Sequence, residues 1–208
     1  MVLPGVLAAN RLSALRALAR KIALREKADY PEADTDVGHV PHTSMLQALI
    51  DDSPARPLLR YFLGMTPTFI NAWQRVALPH SAGGVWHQDL QREFWPPALN
   101  LAIYLNTVTE QNGPTLVVPG THMLPHPEFD RAVYPKQTAI LGPAGSLVVF
   151  FASVWHRGAA NTTDHPRRAL FCYFRAADAI RVRRTPDPVQ GQGWVLGNAD
   201  LLNEHWSE

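Results

Sequence analysis

A change of texture near residue 68 constrains this chain more than any other feature. From there, short apolar and aromatic runs alternate with Gly, Pro and Asn breakers: TFINAWQRVAL, LNLAIYLNTV, GPTLVVPG, QTAILGPAG, SLVVFFASVW and RALFCYFRAA. Each suits a strand of roughly five to eight residues. Asn112-Gly113-Pro114, Pro119-Gly120 and Gly142-Pro143 supply turn signals between several of them. Many short strands after a helical region predict an antiparallel sandwich or barrel with helices on one side. The expected class is mainly β with flanking helices.

The segment before residue 68 has a different period. Leu12, Leu15, Leu18 and Ile22 recur at helical spacing within residues 10–27, with Arg11, Arg16, Arg20, Arg25 and Lys27 around them. A helix packed on a sheet is expected there. Residues 28–43 (ADYPEADTDVGHVPHT) read as a loop. Residues 44–51 and 54–63 read as two short helices, the second opening at Pro54 after Ser53.

A chain of 208 residues buries roughly 70% of its unfolded surface, enough for one sizeable core. One domain is expected: a helical flank (1–67), a β core (68–178) and a C-terminal tail (179–208) without assignable structure. The loop 122–135 (HMLPHPEFDRAVYP) is long enough to serve as a lid.

Composition excludes several classes. Lys plus Arg is 19 and Asp plus Glu is 18, so no basic excess marks a nucleic-acid partner. The single cysteine, Cys172, rules out an internal disulfide framework or a Cys-rich zinc module and suits a reducing cytosol. The most apolar run, Leu147 to Ala152, falls far short of the ~20 residues that span a bilayer. The first residues lack a basic n-region, and Pro4 interrupts their apolar run. No membrane partner and a cytoplasmic location are expected.

Three places carry chemistry. In Trp86-His87-Gln88-Asp89, residues i and i+2 of a strand point to one face, so His87 and Asp89 would project together. An imidazole beside a carboxylate suits a divalent metal, although a plain His–Asp hydrogen bond is the commoner use of such a pair. His156 ends the strongest apolar strand pattern; with His87 and Asp89 it completes a 2-His-1-carboxylate facial triad. Alternation sets Arg167 with Ala169, Phe171 and Tyr173 on one face, and Arg168 with Leu170 and Cys172 on the other. Fe(II) plus one aspartate carries a single positive charge, and a dicarboxylate co-substrate leaves the site negative. An inward arginine supplies the balance and a bidentate carboxylate partner.

Four stretches in order resemble the phytanoyl-CoA dioxygenase family of Fe(II)/2-oxoglutarate-dependent oxygenases. They are Trp86-His-Gln-Asp-Leu90, Asn112-Gly-Pro-Thr-Leu-Val-Val-Pro-Gly-Thr-His122, Gly142-Pro-Ala-Gly-Ser-Leu-Val-Val-Phe-Phe151, and Trp155-His156 followed by Arg167. The resemblance covers roughly residues 70–178. It implies a double-stranded β-helix, a jelly-roll and cupin relative. His87, Asp89 and His156 match the iron ligands. Arg167 matches the arginine that pairs with the distal carboxylate of 2-oxoglutarate. Gln74, Asn100 and Tyr104 are candidates for the rest of that co-substrate, and Trp73 and Arg75 for the substrate mouth. Asp89, absent in related halogenases, places the chain with the hydroxylating branch. Gly158 stands where the family often has serine.

The function so implied is oxidation of a small molecule by O2, with Fe(II) and 2-oxoglutarate, releasing succinate and CO2. Hydroxylation, ring closure and desaturation all remain open. The sixteen arginines against three lysines suggest a GC-rich bacterial source, which makes a natural-product intermediate the expected substrate. The segment 90–98 (LQREFWPPA) joins loop 122–135 as an expected pocket wall. The alternatives are a cupin-like metal enzyme that does not use 2-oxoglutarate, and a non-catalytic binding module. His39, His42, His80, His122, His126, His165 and His205 are assigned no metal role, and the oligomeric state is left open.

Overall fold

The computed structural model describes residues 1–29, 37–90, 97–123 and 136–176. In chain order the elements are β1 (Val2–Leu3), α1 (Ala9–Asp29), β2 (Val37–His39), α2 (Ser44–Asp51), α3 (Arg56–Leu63), β3 (Thr68–Ala77), β4 (Ala98–Tyr104), β5 (Thr115–Val117), a 3-10 turn (Thr121–Met123), β6 (Thr138–Ile140), β7 (Leu147–Phe151), β8 (His156–Gly158) and β9 (Arg167–Arg175). The C-terminal tail from 177, most of loop 122–135 and residues 91–96 of the expected wall lie outside the described residues.

Among the described residues nine strands form two sheets. The larger is six-stranded in the order β1-β7-β4-β9-β3-β2, and the smaller is three-stranded in the order β6-β5-β8. Their pairings are antiparallel throughout. Strand β4 lies at the centre of the large sheet and all its residues are buried. Its alternation divides the interior. Leu99, Leu101 and Ile103 join Leu15, Ala19 and Ile22 of α1, Leu46 and Leu49 of α2, and Leu59 and Leu63 of α3 in one apolar cluster. Ala102 and Tyr104 join Val148, Phe150 and Ala169 in a second cluster, closed by Ile140 and Val117 of the small sheet. Each fully buried Leu or Ile contributes about 1.5–3 kcal/mol, so the helix-side cluster anchors the sheet while the inter-sheet side is left free for polar groups.

Local chemistry sets the helix ends. The Thr43 hydroxyl caps α2 by accepting from the Leu46 amide at 3.2 Å. Pro57 sits in the first turn of α3, where its missing N–H costs nothing. That helix begins at Arg56 rather than at Pro54. The Arg16 guanidinium donates to the Leu105 carbonyl at 2.8 Å and ties α1 to the end of β4.

Three features depart from the sequence expectation. The 28–43 segment contains an edge strand, β2, and the first residues supply another, β1. SLVVFFASVW is not one strand: β7 ends at Phe151, a turn follows, and His156 opens β8 in the other sheet. Among the described residues no helix is long and apolar enough to cross a membrane.

Candidate metal centre

The site is built where the two sheets meet. His87 and His156 form an isolated antiparallel bridge, each backbone amide donating to the other's carbonyl at 3.0 Å. Directly opposed residues present their side chains to one face, and the two imidazole rings lie 4.2 Å apart between centroids. The chain then bends instead of continuing as a strand: the Asp89 and Leu90 amides both donate to the Ala152 carbonyl, at 2.9 and 3.1 Å. That bend, rather than strand alternation, brings the Asp89 carboxylate beside the rings. Gly83 permits the approach from upstream. Its φ is +85°, and a Cβ there would lie 2.6 Å from the Gly158 carbonyl oxygen.

His87 Nε2 lies 3.6 Å from Asp89 Oδ1, and His156 Nε2 lies 3.5 Å from Asp89 Oδ2. The ligand atoms of all three lie within 4.8 Å of one another. The tautomers are fixed from behind. His87 Nδ1 donates to the Val85 carbonyl at 3.0 Å, and His156 Nδ1 donates to the Val154 carbonyl at 2.9 Å. Each ring therefore turns its Nε2 lone pair toward the shared space. Burial, opposed by Asp89, pushes the His156 pKa below its ordinary value, with the charges of His87 and Arg75 adding to the shift. A neutral ligand nitrogen is the outcome. Two imidazole nitrogens and one carboxylate can hold a single divalent cation on one side and leave its other side open.

The remaining candidates separate by face. Asn100 donates from Nδ2 to Asp89 Oδ2 at 2.6 Å. Arg167 is 5% exposed and donates to the Gly113 carbonyl, while its Nε has no partner. Burial lowers its pKa, and the adjacent Tyr104 opposes the shift. Tyr104 spends its proton on the Ile140 carbonyl at 2.8 Å, and burial raises its pKa to about 12. Register pairs Trp73 with Phe171, Arg75 with Ala169 and Ala77 with Arg167, so these share the arginine's face. Gln74 pairs with Leu170, a member of the helix-side cluster. The fold therefore places Gln74 across the sheet from Arg167, because adjacent strand residues cannot share a face.

Three contributions were not singled out in the sequence. Gly113, read there only as a turn residue, accepts from Arg167; its φ is +80°, and a Cβ would lie 2.7 Å from that of Ala77. Asn161 donates to the Ala77 and His165 carbonyls, both at 2.9 Å, and so fixes the loop that delivers Arg167. Tyr173 pairs with Asn100, and its buried hydroxyl has no partner among the described residues. Burial and the Asp89 charge raise its pKa. Strand alternation from Arg167 was the available signal for Tyr173.

The phytanoyl-CoA dioxygenase (PhyH) profile matches residues 1–169, and the chain belongs to that family. It is 27% identical over 156 residues to a probable alpha-ketoglutarate-dependent hypophosphite dioxygenase of Stutzerimonas stutzeri, covering 64% of this chain and 54% of that protein. It is 30% identical over 139 residues to L-proline trans-4-hydroxylase of Streptomyces griseoviridis, covering 49% of each. The chain thus spans about half the length of the curated relatives it matches. Its fold is similar to that of the epimerase SnoN, solved with Fe3+, alpha ketoglutarate and nogalamycin RO. The TM-score is 0.70 at 21% identity, covering 85% of this chain and 78% of that one. EctD from S. alaskensis, solved with 2-oxoglutarate and 5-hydroxyectoine, gives a TM-score of 0.68 at 19% identity over 86% and 72%. The two-sheet architecture is the expected double-stranded β-helix.

Proposed function

We propose that this chain is a non-haem Fe(II)/2-oxoglutarate-dependent oxygenase acting on a small molecule. One observation carries the reading. The His87, Asp89 and His156 donors converge within 4.8 Å, and a buried arginine with an unpartnered Nε stands on the adjoining strand face. A donor set of this kind suits Fe(II), and the guanidinium suits a carboxylate in a dry pocket. Relatives described as acting on hypophosphite or L-proline support a small-molecule substrate, and a neighbour solved with nogalamycin RO supports a natural-product intermediate.

In this reading His87, Asp89 and His156 hold the iron. Iron with 2-oxoglutarate would supply the oxidising chemistry: decarboxylation to succinate and CO2 would take one oxygen atom of O2, and a two-electron oxidation of the substrate would send the other to a new hydroxyl or to water. The chain's own work is orientation and shielding. Val85 and Val154 hold the imidazole tautomers, and Asn100 holds the aspartate. Arg167, steadied by Gly113, binds the distal carboxylate beside Tyr104. Phe150 packs edge-on to His156 at 5.2 Å and keeps water from that side. The cytoplasm, where iron stays reduced, is the proposed location.

The test is substrate-independent and substrate-coupled succinate formation by the purified protein with Fe(II) and 2-oxoglutarate. Wild type forms succinate, and His87→Ala and His156→Ala do not. Full activity in either variant would sink the triad assignment.

A further inference from the structure

Arg75 has a charge that the site's own groups do not use. It lies on β3, opposite Ala169, on the face that carries Arg167 and Phe171. Arg75 itself is exposed, while Trp73 and Ala77 on the same face are half-buried. Among the described residues no carboxylate, carbonyl or ring holds its guanidinium. Other arginines differ: Arg11 pairs with Asp52 and Arg16 with the Leu105 carbonyl, and Arg157 lies over the Trp86 ring. Ala77, two residues along the same strand, pairs with Arg167, so Arg75 leaves the same face of the sheet as the buried arginine of the site. Trp73 and Phe171, paired in register beside it, give that corner an apolar wall.

Charge balance says what belongs there, given the oxygenase reading above. A divalent metal with Asp89 carries one net positive charge, and 2-oxoglutarate with Arg167 carries one net negative charge. The loaded centre is therefore neutral, and the exposed Arg75 is one cation in excess beside it. Such a cation is stabilised by an anionic partner, and the guanidinium fork favours planar or tetrahedral oxyanions. We propose that Arg75 is the specificity-determining residue for the primary substrate and that it recognises an anionic oxygen group, a carboxylate or a phosphorus oxyanion, on a small molecule. Trp73 and Phe171 flank the body of that molecule.

The test uses matched small molecules: monocarboxylates, the corresponding phosphonates and the corresponding primary amides. Thermal melting of the full chain with Fe(II) under argon, with and without 2-oxoglutarate, reads binding without turnover. Carboxylates or phosphonates raise the melting temperature and amides do not; which of the two does so identifies the group. Arg75→Gln weakens the response by about tenfold or more, the size of one charge-assisted contact, and Arg75→Lys restores part of it. The loss falls on the substrate series and not on the 2-oxoglutarate requirement. The proposal is overturned if amides match the acids, if no anion of the panel responds, or if Arg75→Gln leaves the response intact. It is equally overturned if Arg167→Gln, and not Arg75→Gln, abolishes the response. Succinate formation without substrate is followed in parallel. Its absence in wild type counts against the oxygenase reading alone, whereas the acid–amide comparison judges Arg75.

Discussion

The Asn100 side-chain amide donates a 2.6 Å hydrogen bond to Oδ2 of Asp89, the same oxygen that lies 3.5 Å from His156 Nε2. Asn100 thereby holds the carboxylate oxygen that borders the His156 ring nitrogen, and the other oxygen faces His87. Partners of this kind orient metal ligands, and their loss costs about 10–100-fold in metal affinity. Asn100→Ala is expected to weaken Fe(II) or Zn(II) binding by that factor in a chelator competition. An unchanged affinity would contradict the positioning role.

Arg167 is expected to govern 2-oxoglutarate and not the metal. Arg167→Gln removes the buried guanidinium with its unpartnered Nε and is expected to raise the half-saturating 2-oxoglutarate concentration about tenfold or more. Metal affinity, measured in the same preparation, is expected to stay near wild type. Arg167→Lys keeps the charge but loses the fork, so it recovers only part of the affinity. Equal effects on metal and co-substrate would contradict this division.

Gly113 is required twice, for its backbone and for its space. Gly113→Ala forces a side chain into φ +80° and toward the Ala77 Cβ at 2.7 Å. A loss of about 1–3 kcal/mol is expected, read as a lower melting temperature. Because the Gly113 carbonyl accepts from Arg167, the 2-oxoglutarate requirement is expected to rise with it.

The strands that carry the site were legible wherever alternation was long. Arg167, Ala169, Phe171 and Tyr173 fall on one face of β9, as their spacing requires, and Cys172 falls on the other. The His87, Asp89 and His156 side chains do converge, but Asp89 arrives by a bend that no periodicity announces. Gln74 shows the limit most clearly. Its place on β3 was readable, yet its face depends on the pairing of Ala77 with Arg167, and register is a tertiary fact. β1 and β2 have two and three residues, too few to show a period. The break after Phe151 was hidden because an apolar turn looks like apolar strand.

Cys172 is fully buried between Ala72 and Leu101 in register, and burial raises its thiol pKa to about 12. Thiolate is the reactive form, so iodoacetamide is expected to leave the folded protein unlabelled at pH 8 and to label it once unfolded. The linkage has a definite sign. The unfolded thiol ionises near 9.0 while the folded one does not. This contribution to stability is full below pH 9 and is lost as pH rises toward 12. Rapid labelling of the native chain would contradict the buried placement.

In the proposed centre His87, Asp89 and His156 hold one Fe(II), and 2-oxoglutarate binds there with its tail on Arg167. Visible absorption after anaerobic addition of Fe(II) and 2-oxoglutarate tests it most directly. A metal-to-ligand charge-transfer band is expected in wild type, absent in His156→Ala and requiring more 2-oxoglutarate in Arg167→Gln. A wild-type protein that binds Fe(II) but gives no band on addition of 2-oxoglutarate would contradict it and favour a cupin-like metal enzyme.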